Sequence, residues 1–212
     1  MKNILVILIF TASLSLAKAQ HAKPQLLKEP AAWAFEKFDL PPVFAPNFPF
    51  RGAEELRFSP GMFNKDSTDY FTYAFVVQLD STTGISQDNI RNYLLSYFKG
   101  LCSYTANNRK LVVDTSKITV FVEKGNGVAN EVIYNASLNV FGVFEDGAPV
   151  KLNSEVKVLM DTAAKKNYLI FIASPKEKTH SVWKELYNIQ KDFVIPIDPP
   201  PPAPASRSVA LQ

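Results

Sequence analysis

The chain has one cysteine, two histidines and eight glycines among its 212 residues, and these scarcities exclude several classes of protein. A single cysteine, Cys102, cannot form an internal disulfide, so stability must come from packing. Two histidines and one cysteine do not supply the converging donors that a zinc site or a nucleophile–base pair requires, and we expect neither a metal nor a cofactor. The glycines form no phosphate-binding, dinucleotide-binding or nucleophile-elbow pattern.

Long apolar runs are also missing, except for a short one at the start of the chain. Residues 4–10 are uninterrupted apolar residues after Lys2, and residues 17–19 read Ala-Lys-Ala, the small-residue pattern of a signal cleavage site. A membrane-spanning helix needs about 20 mostly apolar residues, which is more than this segment offers. We therefore predict a signal peptide over residues 1–19, export to the periplasm or the medium, and a mature chain without a transmembrane segment.

Neither sign of charge dominates the sequence. Lysine and arginine number 23, aspartate and glutamate 20, and the formal charge is +3; cleavage after residue 19 would remove two of the lysines. A nucleic-acid-binding protein usually carries a clustered basic face, and only short pairs such as Lys165-Lys166 occur here. We expect no nucleic-acid partner.

Proline and aromatic residues crowd the part of the chain that precedes the first clear strand. Residues 20–29 are polar and predict a flexible start. From residue 30 to 63 the two residue types are interleaved, and repeated proline argues against long helices and central strands. Large aromatic side chains need burial, which argues against disorder. We expect an irregular segment laid across the core, with one or two helical turns over residues 30–38.

Regular elements follow in the order β-α-β-β-β-β-α. Alternating apolar residues predict strands over residues 70–79, 117–123, 132–144, 155–161 and 167–174. Ser86 is the expected N-cap of the first helix, and a capping box at Ser174–Glu177 is expected to begin the second. Cys102 follows Leu94 and Phe98 at steps of four on the apolar face of the first helix, and we expect it to be buried.

Short links between the later strands require antiparallel pairing. The sequence thus predicts an α+β fold with an antiparallel sheet of about five strands and two packed helices. One domain should occupy residues 30–196, followed by a Pro-rich tail over residues 197–212. An apolar pattern on both faces of 167–174 predicts a central strand.

Carboxylates are the main candidates for chemistry, because histidine and cysteine are so few. Glu54 and Glu55 lie among aromatic residues and are candidate catalytic groups, together with Asp69 or Asp80. In the alternative interpretation, structural ion pairs with Arg51 or Arg57 fasten the N-terminal segment to the sheet. Adjacent strand residues point to opposite faces, so the two glutamates should not share a site.

Candidate ligand-binding residues come from the same region: Trp33, Arg51, Arg57 and Phe58. The hypothesis we favour is non-enzymatic binding of an extracytoplasmic ligand or protein through the aromatic N-terminal segment and an open sheet face. One alternative is a carboxylate-dependent hydrolase acting on glycans, which needs two carboxyl groups about 5–10 Å apart across a cleft. Another is a structural or assembly component of the cell envelope, with the Pro-rich tail as its contact.

Overall fold

The computed structural model describes residues 26–81, 84–127 and 131–196. The predicted signal peptide, residues 20–25 of the predicted flexible start and the Pro-rich tail lie outside these ranges. The described part of the chain forms nine regular elements and a short 3-10 turn at Thr115–Lys117. In chain order they are β1 (Ala34–Leu40), β2 (Gly52–Phe58), β3 (Tyr73–Leu79), α1 (Gln87–Arg109), β4 (Thr119–Lys124), β5 (Val132–Phe141), β6 (Pro149–Asp161), β7 (Lys166–Ser174) and α2 (Val182–Asp192).

All seven strands belong to one sheet with the order β1-β2-β3-β7-β6-β5-β4, and every neighbouring pair is antiparallel. The α+β class, the antiparallel sheet and the two helices are therefore confirmed, whereas the expected number of about five strands is wrong. β7 lies at the centre of the sheet between β3 and β6, as its apolar pattern predicts. Side chains of β7 on both faces are buried.

The two additional strands are β1 and β2, in the segment expected to be irregular. The prolines that argued against strands all lie in connections: Pro41, Pro42, Pro46 and Pro49 between β1 and β2, and Pro60 between β2 and β3. Each strand is a run of seven residues without proline, so no ladder hydrogen bond is lost to a missing N–H group. The expected helical turns over residues 30–38 are also wrong, because most of that range is β1.

The helices pack on opposite faces of the sheet and give the molecule three layers. Helix α1 begins at a capping box, in which the Ser86 hydroxyl accepts a hydrogen bond from the Asn89 amide. Ser86 is thus the N-cap, as predicted. The face of α1 turned to the sheet buries Ile90, Leu94, Phe98 and Cys102. The burial expected of Cys102 is confirmed.

Helix α2 begins seven residues later than predicted, because its N-cap is Ser181 and not Ser174. Ser174 is the last residue of β7, and its hydroxyl lies 2.8 Å from that of Thr72, so it belongs to the sheet. The helix starts at Val182, whose amide donates to Nδ1 of His180 at 3.2 Å. His180 therefore serves the first turn as a hydrogen-bond acceptor.

Candidate functional site

The predicted carboxylates Glu54 and Glu55 are both fully buried on β2, and they face opposite layers. Glu54 faces α1, where its two carboxyl oxygens accept hydrogen bonds from the hydroxyls of Tyr93 and Tyr97, each at 2.9 Å. Glu55 faces the α2 side. The prediction that these neighbours do not share a site follows from strand geometry, and the structure has this arrangement.

Burial controls the protonation of Glu54. Removal from water raises the pKa of this carboxyl to about 8, although the hydrogen bonds from the two tyrosines act in the opposite direction. The neighbouring Glu36 on β1 raises it a little further, and burial also raises the pKa of Glu36. The ring of Phe171 stacks on Tyr93, and the ring of Phe48 meets Tyr93 edge to face. Glu54 is thus a largely neutral group at pH 7 inside an aromatic core.

Glu55 and Arg57 hold the first described residues against the sheet. One carboxyl oxygen of Glu55 accepts from the amides of Leu26 and Leu27 at 2.8 and 3.0 Å, and the other lies 3.2 Å from Nζ of Lys37. The guanidinium of Arg57 donates to three backbone carbonyls, those of Leu27, Lys28 and Trp33. Both charges therefore contact the backbone of this segment.

Asp69 belongs to the connection between β2 and β3. Its carboxylate accepts hydrogen bonds from the Gly61 amide at 3.0 Å and from the Ser67 hydroxyl. Partial burial alone would raise the pKa of Asp69, but these hydrogen bonds lower it below its usual value. Gly61 has no room for a side chain here, because a Cβ atom would overlap Asp69 and Ser67. Asp69 thus closes a compact loop.

The predicted ligand-binding residues do not meet at one surface. Trp33 is buried on the α2 side of the sheet. Phe58 is partly buried on the α1 side beside Phe63 and Tyr73. Arg51 is exposed and donates to the carbonyls of Phe48 and Phe50. The aromatic N-terminal segment is mainly a cover for the core.

A polar surface lies elsewhere, on the face of the sheet that carries α2. We call it the outer face: the outward side chains of β4, β5 and β6, beyond the strands that α2 covers. Their alternation leaves apolar residues beneath and polar residues outside, among them Asn135, Ser137 and Asn139 on β5. The outer face consists of Thr119, Phe121, Glu123, Asn135, Ser137, Asn139, Lys151, Asn153 and Glu155.

A shallow depression of about 320 Å³ lies within the outer face. Phe121, Ser137 and Asn153 lie side by side on β4, β5 and β6 and form its centre. The Phe121 side chain is 62% exposed, although the residue is large and apolar. Singly exposed apolar residues are common on protein surfaces, and Phe63 is another in this structure. What distinguishes Phe121 is that polar side chains of β5 and β6 surround it in a depression.

Lys178, in the connection between β7 and α2, forms one wall of the depression. Its Nζ donates to the Asn135 side-chain oxygen at 2.5 Å and to a carboxylate oxygen of Glu155 at 3.1 Å. The same Nζ lies 5.5 Å from the ring centre of Trp183 on α2. Lys178 is therefore fixed by three contacts.

The hydrogen bonds around the depression determine the orientation of two amides. An ammonium group only donates, so the Asn135 oxygen must face Lys178 and its NH₂ group is left as a donor. The Asn153 NH₂ group donates to the Lys176 carbonyl at 3.1 Å, which leaves its oxygen as an acceptor. Within the described part of the chain, neither the Ser137 hydroxyl nor the Glu123 carboxylate has a hydrogen-bond partner.

The chain matches no family model, no curated protein and no solved structure. Among residues 26–81, 84–127 and 131–196, no helix is apolar over a length that would cross a bilayer. The same ranges contain no group of three histidine, cysteine, aspartate or glutamate side chains arranged to hold a metal ion.

The depression has no local signal in the sequence, because its residues come from three strands and one connection. Asn153 lies in the first half of β6, which the strand predicted over 155–161 did not include. Phe121 lies on the opposite side of β4 from Val120 and Val122, which face the core. Its exposure therefore follows from the alternation of side chains along a strand. The proximity of Lys178 to β5 depends on the tertiary fold and has no local signal.

Proposed function

We propose that the protein is an exported, non-enzymatic binding domain that holds an extracytoplasmic ligand on its outer face. The observation that carries the proposal is the depression around Phe121, which combines an exposed aromatic ring with polar groups that have no partner in the described part of the chain. Export rests on the signal pattern of residues 1–19 and is part of the proposal. Of the two surfaces that the sequence suggested, the proposal keeps an open sheet face and drops the aromatic N-terminal segment.

The positions of the acidic residues favour binding over hydrolysis. A glycan hydrolase of the carboxylate type needs an acid and a base on either side of one substrate bond. Glu54 and Glu55 lie on opposite faces of β2, and Asp69 is engaged in its own loop. The depression itself is lined by Glu123 as its one carboxylate.

A binding experiment with matched variants tests this proposal. The protein is immobilised and exposed to soluble glycans, peptides and envelope extracts, and retained material is quantified for wild type, Phe121→Ala and Tyr104→Ala. Tyr104 is a comparably exposed aromatic residue on α1, on the other side of the sheet. We expect retention that is lost with Phe121→Ala and kept with Tyr104→Ala. Equal retention by wild type and Phe121→Ala would contradict the proposal. Enzymatic turnover of a retained compound would also contradict it.

A further inference from the structure

We propose that the ligand of the outer face is a neutral sugar, one ring of which stacks on Phe121. This inference rests on the proposed function, because it names the ligand class of the same depression. The charges of the depression are few and largely compensated. Lys178 is paired with Glu155, and Glu123 is the remaining charged group of the lining.

These charges argue against strongly ionic ligands. An anion such as a phosphate group would meet one ammonium that is already engaged with Glu155, and the Glu123 carboxylate would repel it. A cation would find a single carboxylate, Glu123, with an ammonium nearby. Neither arrangement supplies the several opposite charges that a tightly bound ion needs. A neutral polar ligand avoids both penalties.

The polar groups of the depression match the chemistry of sugar hydroxyls. A hydroxyl donates and accepts, so neighbouring hydroxyls on one ring are best satisfied by a mixture of donors and acceptors. The depression offers such a mixture: the Asn135 NH₂ group as donor, the Asn153 oxygen and the Glu123 carboxylate as acceptors, and the Ser137 hydroxyl as either. Contacts to Lys178 and to the Lys176 carbonyl fix both amides before a ligand arrives.

The Phe121 ring supplies the remaining component. A sugar ring has an apolar C–H face as well as its hydroxyls, and burial of that face against an aromatic ring contributes favourable free energy. Phe121 is directly beside Ser137 in the strand register, and adjacent strands are about 4.8 Å apart. Hydroxyls at the rim of a ring stacked on Phe121 would thus come within reach of β5 and β6.

An extended peptide fits this site less well. Peptides that add to a sheet pair with the backbone of an edge strand, and their affinity comes from main-chain hydrogen bonds. β4 is the edge strand here, so an added peptide would pair with the side of β4 away from β5 and lie beside it in the plane of the sheet. The depression instead lies on the face of β4, β5 and β6, where Asn135, Ser137 and Asn153 belong to β5 and β6. The recognition groups that remain at the depression are side chains.

Titration with defined sugars tests the inference. Cellotriose, maltotriose, mannotriose and chitotriose are added to the full-length protein, and binding is measured by saturation-transfer NMR and calorimetry. At least one of the four should bind to wild type. Its affinity for Phe121→Ala should be lower by about tenfold or more, because the stacking surface is lost. Phe121→Trp should retain binding, and Tyr104→Ala should match wild type. Ser137→Ala removes a hydroxyl without a partner in the described residues, so it should weaken binding without changing the thermal unfolding temperature.

Each other outcome has a defined consequence. If the four sugars do not bind, but polygalacturonate or an unstructured peptide pool binds and loses affinity in Phe121→Ala, the sugar assignment is overturned and the proposed function stands. If a sugar binds equally to Phe121→Ala and wild type, the outer face is not its site and both proposals fail. The absence of any Phe121-dependent ligand in the sugar, polygalacturonate and peptide arms likewise overturns both. Phe121 is exposed, so its variants should fold normally, which circular dichroism verifies.

Discussion

At the scale of single residues, Glu54 shows how a fold can hold a carboxyl group neutral at physiological pH. The side chain has no exposure, lies among aromatic rings and has two tyrosine hydroxyls as partners. Removing a charge-bearing group from water favours its neutral form, and here that effect exceeds the stabilisation that the hydroxyls give to the anion. Protonation of Glu54 is therefore linked to folding.

The free energy of unfolding should fall as the pH rises from about 5 to about 9. The pKa of Glu54 is about 8 in the folded protein, against 4.5 for an exposed glutamate, so the folded state binds more protons in this interval. The linked stability is complete below the unfolded pKa and is lost as the pH rises through the folded value. The loss attributable to Glu54 is on the order of 4 kcal/mol.

Urea denaturation at several pH values, compared with Glu54→Gln, isolates this effect. Glutamine keeps a neutral amide in place of the carboxyl, so the decline between pH 5 and 9 should largely disappear. Glu123→Gln, a change at an exposed glutamate, should leave the decline as in wild type. A Glu54→Gln protein with the full wild-type pH dependence would show that another group is responsible.

Arg57 and Arg51 provide a second comparison between residues of one type. Arg57 is buried and donates to three carbonyls of distant residues, whereas Arg51 is exposed and donates to two carbonyls close in sequence. Arg57→Met should lower the free energy of unfolding by about 2–4 kcal/mol, because buried acceptors and the Glu55 charge lose a partner. Arg51→Met should cost less than about 1 kcal/mol. Equal losses in urea denaturation would contradict this interpretation.

At the scale of elements, α1 depends on close contact with the connection between β1 and β2. Gly100 lies where the helix meets the backbone of Phe44, and a Cβ atom there would overlap the Phe44 carbonyl oxygen and lie 3.1 Å from the Ala45 Cβ. The Phe44 ring also packs on Tyr97 at a centroid distance of 5.0 Å. The absence of a side chain at residue 100 allows the connection to cover the helix.

Gly100→Ala should therefore destabilise the protein by about 1–3 kcal/mol through overpacking. Intrinsic helix propensity alone would favour alanine by about 1 kcal/mol, so the sign of the change separates the two effects. Ser103→Ala, on an exposed position of the same helix, measures the propensity effect without the contact. Thermal and urea unfolding of both variants give the comparison, and a stabilised Gly100→Ala protein would refute the close contact.

The elements that the sequence predicts well are those with local and unbroken patterns. Helix α1 has both a cap and a regular apolar face, and β7 is apolar throughout. β1 and β2 have short patterns next to prolines, and whether those prolines interrupt strands or join them depends on where the chain turns. The start of α2 was misplaced because a serine followed by proline and glutamate resembles a helix cap, although Ser174 bonds to Thr72 across the sheet.

The candidate site was less predictable than the fold. The charged residues that drew attention, Glu54, Glu55 and Arg57, contact backbone or tyrosine groups in the interior. The outer face was visible only as the polar half of an alternating pattern on β5. Its convergence with Phe121, Asn153 and Lys178 depends on strand register and on a connection that folds back over β5.

At the scale of the whole molecule, the sheet joins two separate hydrophobic layers. Cys102 reports on the α1 layer, and both tryptophans, Trp33 and Trp183, lie in the α2 layer. Each layer uses one face of the same central strands, so loss of the sheet removes the support of both. The two layers should therefore unfold together.

Thiol labelling and tryptophan fluorescence can test this coupling. Burial raises the pKa of Cys102 to about 11, so the native thiol should resist iodoacetamide at pH 8. Labelling should begin at the urea concentration where tryptophan fluorescence changes. The control is a double variant, Cys102→Ala with Ser103→Cys, which places the thiol at an exposed position of the same helix. This thiol should react with iodoacetamide without urea. Labelling of wild type well below the fluorescence midpoint would indicate that α1 separates first.

The pairing of β3 with β7 also determines when the core can be completed during synthesis. Partners such as Gln78 and Tyr168 are about 90 residues apart in the chain, and ribosomes add about 5–20 residues per second. For several seconds β3 can pair with β2 but not with β7, its other neighbour in the sheet. During this time its almost wholly apolar side chains are incompletely covered. The nascent chain thus carries an incomplete, aggregation-prone strand until residue 174 has emerged, and residues 73–79 are where a chaperone would protect it.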